Sequence, residues 1–139
     1  MERSLVLIKP DALHRGLAGT IIARLERSGL KMVAIKMLHL DKALAQELYS
    51  VHKDKPFFND LVDYISSTPI MAAIFKGEQA VEVIRRTMGA TDPAKAETGT
   101  IRGDFGQDIG RNSVHGSDST ETAEKEIKLF FSEDEMFDY

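Results

Sequence analysis

The 139-residue chain is 42% hydrophobic and 29% charged, has a formal net charge of −4 and contains no cysteine. This is the profile of one soluble globular domain with its own core, and the length leaves no room for two ordinary domains. It excludes a disulfide framework or thiolate metal site, and the acidic balance argues against general nucleic-acid binding.

The apolar runs are too short to span a bilayer. "MERSLVLIKPD" places charges around a short apolar run and lacks a small-residue cleavage site. No signal peptide is expected, and a cytoplasmic protein is.

In chain order, "SLVLIK" (Ser4 to Lys9) reads as a strand closed by a Lys-Pro-Asp turn. Ile21, Ile22 and Leu25 recur at helical spacing, and Ser28-Gly29 stops that helix. "LKMVAIKMLHL" (Leu30 to Leu40) reads as a long, largely buried strand. Asp41 suits the N-cap of a helix that places Leu44 and Leu48 on one face. Pro56 suits the first turn of another, where Phe58, Leu61, Val62 and Ile65 form an i, i+3, i+4, i+7 stripe.

"IMAAIF" (Ile70 to Phe75) is a third strand, and Val81, Ile84 and Met88 mark the next helix. Gly89 to Asn112 shows no sustained period, so it is expected to be functional, an interface or disordered. "SVH" reads as a short fourth strand. Asp118 and Glu121 resemble a capping box for a last helix that buries Ala123, Ile127, Phe130 and Phe131. Its outer face carries Glu121-Lys125 and Glu124-Lys128 at i, i+4. Strands alternating with helices indicate α/β or α+β, and leave parallel and antiparallel sheets both open.

Two fragments invite a wrong reading. "VAIK" (Val33 to Lys36) and "DFG" (Asp104 to Gly106) belong to the protein-kinase signature. The chain is too short for that fold and lacks its other motifs. There is no P-loop and no His-Glu-x-x-His zinc site.

His115 is the histidine with company. Gly116 lets the chain turn, and Ser117, Asp118 and Ser119 stand at a helix start, where N–H groups favour anions. Glu126 flanks the buried face of that helix and can hold the imidazole, as a nucleophilic histidine requires. His14, His39 and His52 read as ordinary histidines. Arg85, Arg102, Arg111 and Lys9 are cations that match phosphate, but spacing alone does not assemble them.

Five ordered blocks supply what spacing cannot. "IKPDA" (8–12), "KDKPFF" (53–58), "TDPA" (91–94), "GTIRGDF" (99–105) and "NSVHGSDS" (112–119) resemble the nucleoside diphosphate kinase family, over about residues 3–131. The resemblance implies a ferredoxin-like βαββαβ core of α+β class, with a four-stranded antiparallel sheet. It implies that His115 is phosphorylated on Nδ1 and that Glu126 and Ser117 orient it. It implies Lys9 and Tyr49 beside the transferred phosphate, Arg85, Thr91 and Arg102 on the phosphate chain, and Asn112 on the sugar. Phe57 would stack on the base, with Leu61 and Ile109 lining that slot. Mg²⁺ would arrive on the nucleotide's phosphates, not in a protein cage.

The implied reaction is exchange of phosphate between nucleoside triphosphates and diphosphates through a phosphohistidine. The implied assembly is a hexamer or tetramer, with 89–112 as subunit contact and part of the site. Two departures stand out. The segment after Phe131, "SEDEMFDY", is short, and "TDPAKAETGT" has Ala-Glu-Thr where many relatives have a second proline. The rival readings are a non-catalytic nucleotide-binding regulator of the same fold and a DNA-binding role. The first should have lost His115, Lys9 or an arginine, and the acidic charge opposes the second as a main function.

Overall fold

A computed structural model describes residues 1–139. Strands β1 (Glu2–Ile8), β2 (Lys31–Leu38), β3 (Ile70–Gly77) and β4 (Val114–Gly116) form one sheet in the order β2-β3-β1-β4. Every pairing is antiparallel, which settles the question periodicity left open. The helices are α1 (Pro10–His14), α2 (Ala18–Arg27), α3 (Lys42–Leu48), α4 (Phe58–Ile65), α5 (Ala80–Met88), α6 (Ile101–Phe105) and α7 (Thr120–Phe130). The path β1-α2-β2-β3-α5-β4 is the expected ferredoxin-like βαββαβ core. No helix is long and apolar enough to cross a membrane.

The central strand β1 is apolar on both faces because both are covered. Leu5 and Leu7 join the cluster formed with α3, α4 and α7. Val6 and Ile8, one residue out of phase, join the cluster formed with α2, α5 and α6. On β3, Ile74 joins the first cluster and Phe75 the second.

Several local expectations change. β2 is not largely buried: only Val33 and Ala34 are, while Ile35 and Met37 are exposed. It is an edge strand, and its register against β3 shifts between Met32 and Ala34. Residues 89–112 are not devoid of elements: they hold a 3-10 turn, Pro93–Lys95, and α6, whose N-cap Thr100 accepts from Gly103 N–H. The capping box at Asp118 is absent. Ser119 caps α7 instead, accepting from Thr122 N–H at 3.1 Å, and Asp118 pairs with Arg85. Glu124 reaches Arg3 rather than Lys128.

Asp41 caps α3 as expected, accepting from Leu44 N–H at 2.8 Å. Gly116 is no turn residue. It lies in β4 against α5, where a Cβ would come within 2.7 Å of Met88 Cε.

Candidate active site

Sheet register aims His115. It sits opposite Leu7, so both side chains leave the sheet on the face that α7 covers. Glu126, on α7 between the buried Ala123 and Ile127, meets it there. Glu126 Oε1 lies 3.2 Å from His115 Nε2 and also accepts from Ser117 Oγ at 2.7 Å. A carboxylate only accepts, so Nε2 carries the proton. In the neutral ring that leaves the lone pair on Nδ1. Tyr49, at the C-cap of α3, packs edge-on against the imidazole, with ring centroids 6.0 Å apart. Burial raises its phenol pKa, and the Glu126 charge raises it further.

The turn before β4 builds a second group. Lys9 Nζ donates to Asn112 Oδ1 at 3.0 Å and to Gly110 O at 2.8 Å. Asn112 Nδ2 in turn donates to Thr91 O at 2.9 Å. Lys9 is almost fully buried, and this desolvation lowers its pKa to about 8 even though the Asp11 charge pulls the other way. The next residue, Ser113, has φ +77° and is held by Asp11, whose Oδ2 accepts its N–H at 2.9 Å. Asp11 Oδ1 accepts from Tyr64 Oη at 2.9 Å.

The two arginines differ in kind. Arg102 is buried, donating to Gly89 O at 3.0 Å and Val114 O at 2.9 Å, with its Nε left without a partner. Burial, and then the nearby Arg85 charge, lower its pKa to about 10. Arg85 is exposed and rests on Asp118 at 2.6 Å. Arg111 pairs with Asp108 at 2.7 Å rather than joining this group.

A cleft of about 910 Å³ is open and runs past Arg85, Lys95 and Asp118. His115, Tyr49 and Lys9 do not line it, so the hydrogen-bonded cluster defines the site, not the cleft. Phe57 is half exposed, its ring tilted against His52 at 5.5 Å. Ile109 is exposed beside Gly110, the residue that accepts from Lys9. Leu61 is partly buried against the core.

A sequence model described as nucleoside diphosphate kinase matches residues 2–136. The chain belongs to the nucleoside diphosphate kinase family. It is 58% identical to a nucleoside diphosphate kinase of Dehalococcoides mccartyi, strain 195, over 100% of this chain and 98% of that one. Among solved structures, the Aquifex aeolicus nucleoside diphosphate kinase superposes with a TM-score of 0.95 at 40% identity, covering 98% of this chain and 99% of that one. A halophilic one from Halobacterium salinarum, in complex with CDP, gives 0.96 at 49% identity, covering 99% and 92%.

As a nucleoside diphosphate kinase family member, the chain is a phosphotransferase that moves phosphate between nucleotides. Most of the residues its sequence singles out fall into two groups: His115, Glu126 and Ser117, hydrogen-bonded and with Tyr49 packed edge-on against the imidazole, and Lys9, Asn112 and the Thr91 backbone, hydrogen-bonded in a chain. Arg102 touches the strand of His115 through Val114 O. No hydrogen bond links Phe57, Leu61 or Ile109 to either group, as suits apolar side chains. Sequence reasoning missed Asp11 and Tyr64, which meet across 53 positions. The one available hint was an aspartate directly after Lys-Pro. His52, read above as an ordinary histidine, packs on Phe57 with Nδ1 buried and unpartnered.

Proposed function

We propose that a single domain over 1–139 carries the whole reaction in the cytoplasm, through two half-reactions at His115. The Nδ1 lone pair attacks the terminal phosphorus of a nucleoside triphosphate. An N–P bond forms, the P–O bond to the leaving diphosphate breaks, and the diphosphate departs. The terminal oxygen of a second nucleoside diphosphate then attacks the same phosphorus, and the N–P bonding pair returns to the ring.

Glu126 holds Nε2–H throughout and stabilises positive charge on the imidazole, while Ser117 fixes the carboxylate. Lys9 and Tyr49 flank the phosphoryl group in transit. Arg85, released from Asp118, and Arg102 bind the phosphate chain together with Thr91. Asn112 and Lys9 meet the ribose. Phe57 stacks on the base in a slot lined by Leu61 and Ile109.

Mg²⁺ enters as part of the substrate. The chain brings together no group of three or more His, Cys, Asp or Glu side chains able to hold a metal. Carried on the phosphate oxygens, the ion would screen their charge. The assembly is a homo-oligomer, a hexamer or tetramer, with 89–112 at the contact.

One observation supports this reading above the rest: the hydrogen bond between the Nε2 of His115 and Glu126, which leaves Nδ1 as the free nucleophile. A non-catalytic regulator has no need of it. The test is to load the protein with γ-labelled ATP, remove free nucleotide, and add ADP, GDP, CDP or UDP in turn. Label passes to each of them if the reading holds. Label that stays on the protein, or never reaches it, refutes a phosphoenzyme relay.

A further inference from the structure

We infer that Asp11 is a positioning residue, whose buried carboxylate clamps the turn at Ser113 and thereby sets His115 in register with the nucleotide-binding pair Lys9 and Asn112. The inference deepens the reading of His115 as phosphate carrier and rests on it.

Ser113 is the centre of a three-residue turn. Its φ is +77°, and Val114 N–H donates back to Asn112 O at 2.9 Å. This left-handed γ-turn is rare and strained, and a serine has no intrinsic reason to enter it. Strain of this kind persists only where surrounding structure over-determines it. Asn112 lies on one side of the turn, bonded to Lys9, and Val114 on the other, followed by His115. A change at Ser113 therefore alters the spacing between substrate-binding groups and nucleophile.

Three contacts hold the turn. Asp11 Oδ2 accepts the Ser113 N–H, and Lys9 N–H donates to Ser113 O, each at 2.9 Å. The Ser113 hydroxyl contributes nothing, because it is buried without a partner. The third contact is on Asp11 itself: Tyr64 Oη donates to Oδ1, anchoring the carboxylate to α4. Both carboxylate oxygens are thus used inside the protein, and Asp11 is only 6% exposed. Removing this carboxylate leaves a buried N–H unpaired at a strained residue, so the turn relaxes and His115 shifts relative to Lys9 and Asn112.

Two variants separate the clamp from other effects. Asp11→Asn keeps an oxygen for Ser113 N–H and can donate to the Tyr64 oxygen, so it loses charge but keeps the bridge. Ser113→Gly adopts φ +77° without steric cost, so it needs the clamp less.

The experiment measures single-turnover labelling of His115 from ATP and from phosphoramidate, a phosphoryl donor with no base or sugar to be registered. Asp11→Ala should slow labelling from ATP by about tenfold to a hundredfold and labelling from phosphoramidate, which meets Lys9 but not the sugar contact at Asn112 or the base slot, by a clearly smaller factor, the signature of lost alignment. Asp11→Asn should lose less, and Ser113→Gly placed on Asp11→Ala should recover part of the rate.

Wild-type labelling of Asp11→Ala from ATP, equal slowing with both donors, or Asp11→Asn as slow as Asp11→Ala overturns the inference. If Asp11→Ala does not fold, Tyr64→Phe, which frees one carboxylate oxygen, must still slow the ATP arm more than the phosphoramidate arm. Equal rates there overturn it too. A wild-type protein labelled by neither donor instead removes the reading of His115 on which the inference stands.

Discussion

Glu126 Oε1 lies 3.2 Å from His115 Nε2, the ring nitrogen that faces into the protein. Glu126 is nearly buried and shares the same oxygen with Ser117, so its carboxylate has little freedom to turn away. The bond fixes both the tautomer and the orientation of the imidazole. If Glu126 orients the nucleophile and not the substrate, Glu126→Ala should slow phosphorylation by roughly tenfold to a thousandfold while leaving ADP affinity nearly intact. Single-turnover rates set against equilibrium ADP binding check this. Equal damage to both would make Glu126 a structural residue only.

Lys9 makes the pH behaviour specific. Burial holds its pKa at about 8 in the free protein, below the ordinary lysine value. The ammonium is therefore charged below that pH and loses its proton as pH rises through it. A bound phosphate chain favours the charged form and pulls the pKa up. ADP binding should then take up a proton above about pH 8 and weaken as pH climbs, with little pH dependence from this group below about pH 7. Calorimetry in buffers of different ionisation enthalpy measures the uptake. Lys9→Met should bind weakly and without it; uptake that survives this substitution contradicts the assignment.

Arg102 and Arg85 separate stability from binding. Arg102 satisfies two buried carbonyls, Gly89 O and Val114 O, so Arg102→Ala should cost about 2–4 kcal/mol of folding stability. Arg85 has only an exposed pairing with Asp118, and Arg85→Ala should cost less than about 1 kcal/mol. Both should weaken ADP binding. Urea unfolding compares them, and equal stability losses would mean that Arg102 is not a structural strut.

Phe57 offers a face and no polar edge. Stacking serves every base, and its loss on truncation is worth roughly 1–3 kcal/mol in nucleic-acid binders. Phe57→Ala should weaken ADP, GDP, CDP and UDP by similar factors. A defect confined to one base, measured by competition among the four, would replace stacking with edge recognition.

Much of this was legible in the sequence, for physical reasons that can be named. The doubly apolar run of β1 and the α4 stripe survive because each buried face leaves its own period. The core of α7 was legible in the same way, with Phe131 buried just past the helix end. β2 misled because an apolar run does not say whether its strand lies at the centre or the edge of a sheet. α6 escaped because a five-residue helix is too short to show a period. Its capping Thr100 was the only mark it left. His115 and Glu126 are eleven positions apart, joined by one turn and one helix, so their meeting was within reach of local reasoning. Asp11, Tyr64 and Ser113 are brought together only by the packed fold, and nothing in a serine announces a positive φ.

If Glu126 ties up Nε2, Nδ1 is the nitrogen that takes the phosphate. The most direct measurement is to phosphorylate the protein with ATP and locate the phosphate, by mass spectrometry for the residue and by ³¹P NMR for the nitrogen. An acid-labile phosphate should appear on Nδ1 of His115, and none on His115→Gln. Phosphate on Nε2, or an acid-labile phosphoprotein that persists in His115→Gln, would contradict it.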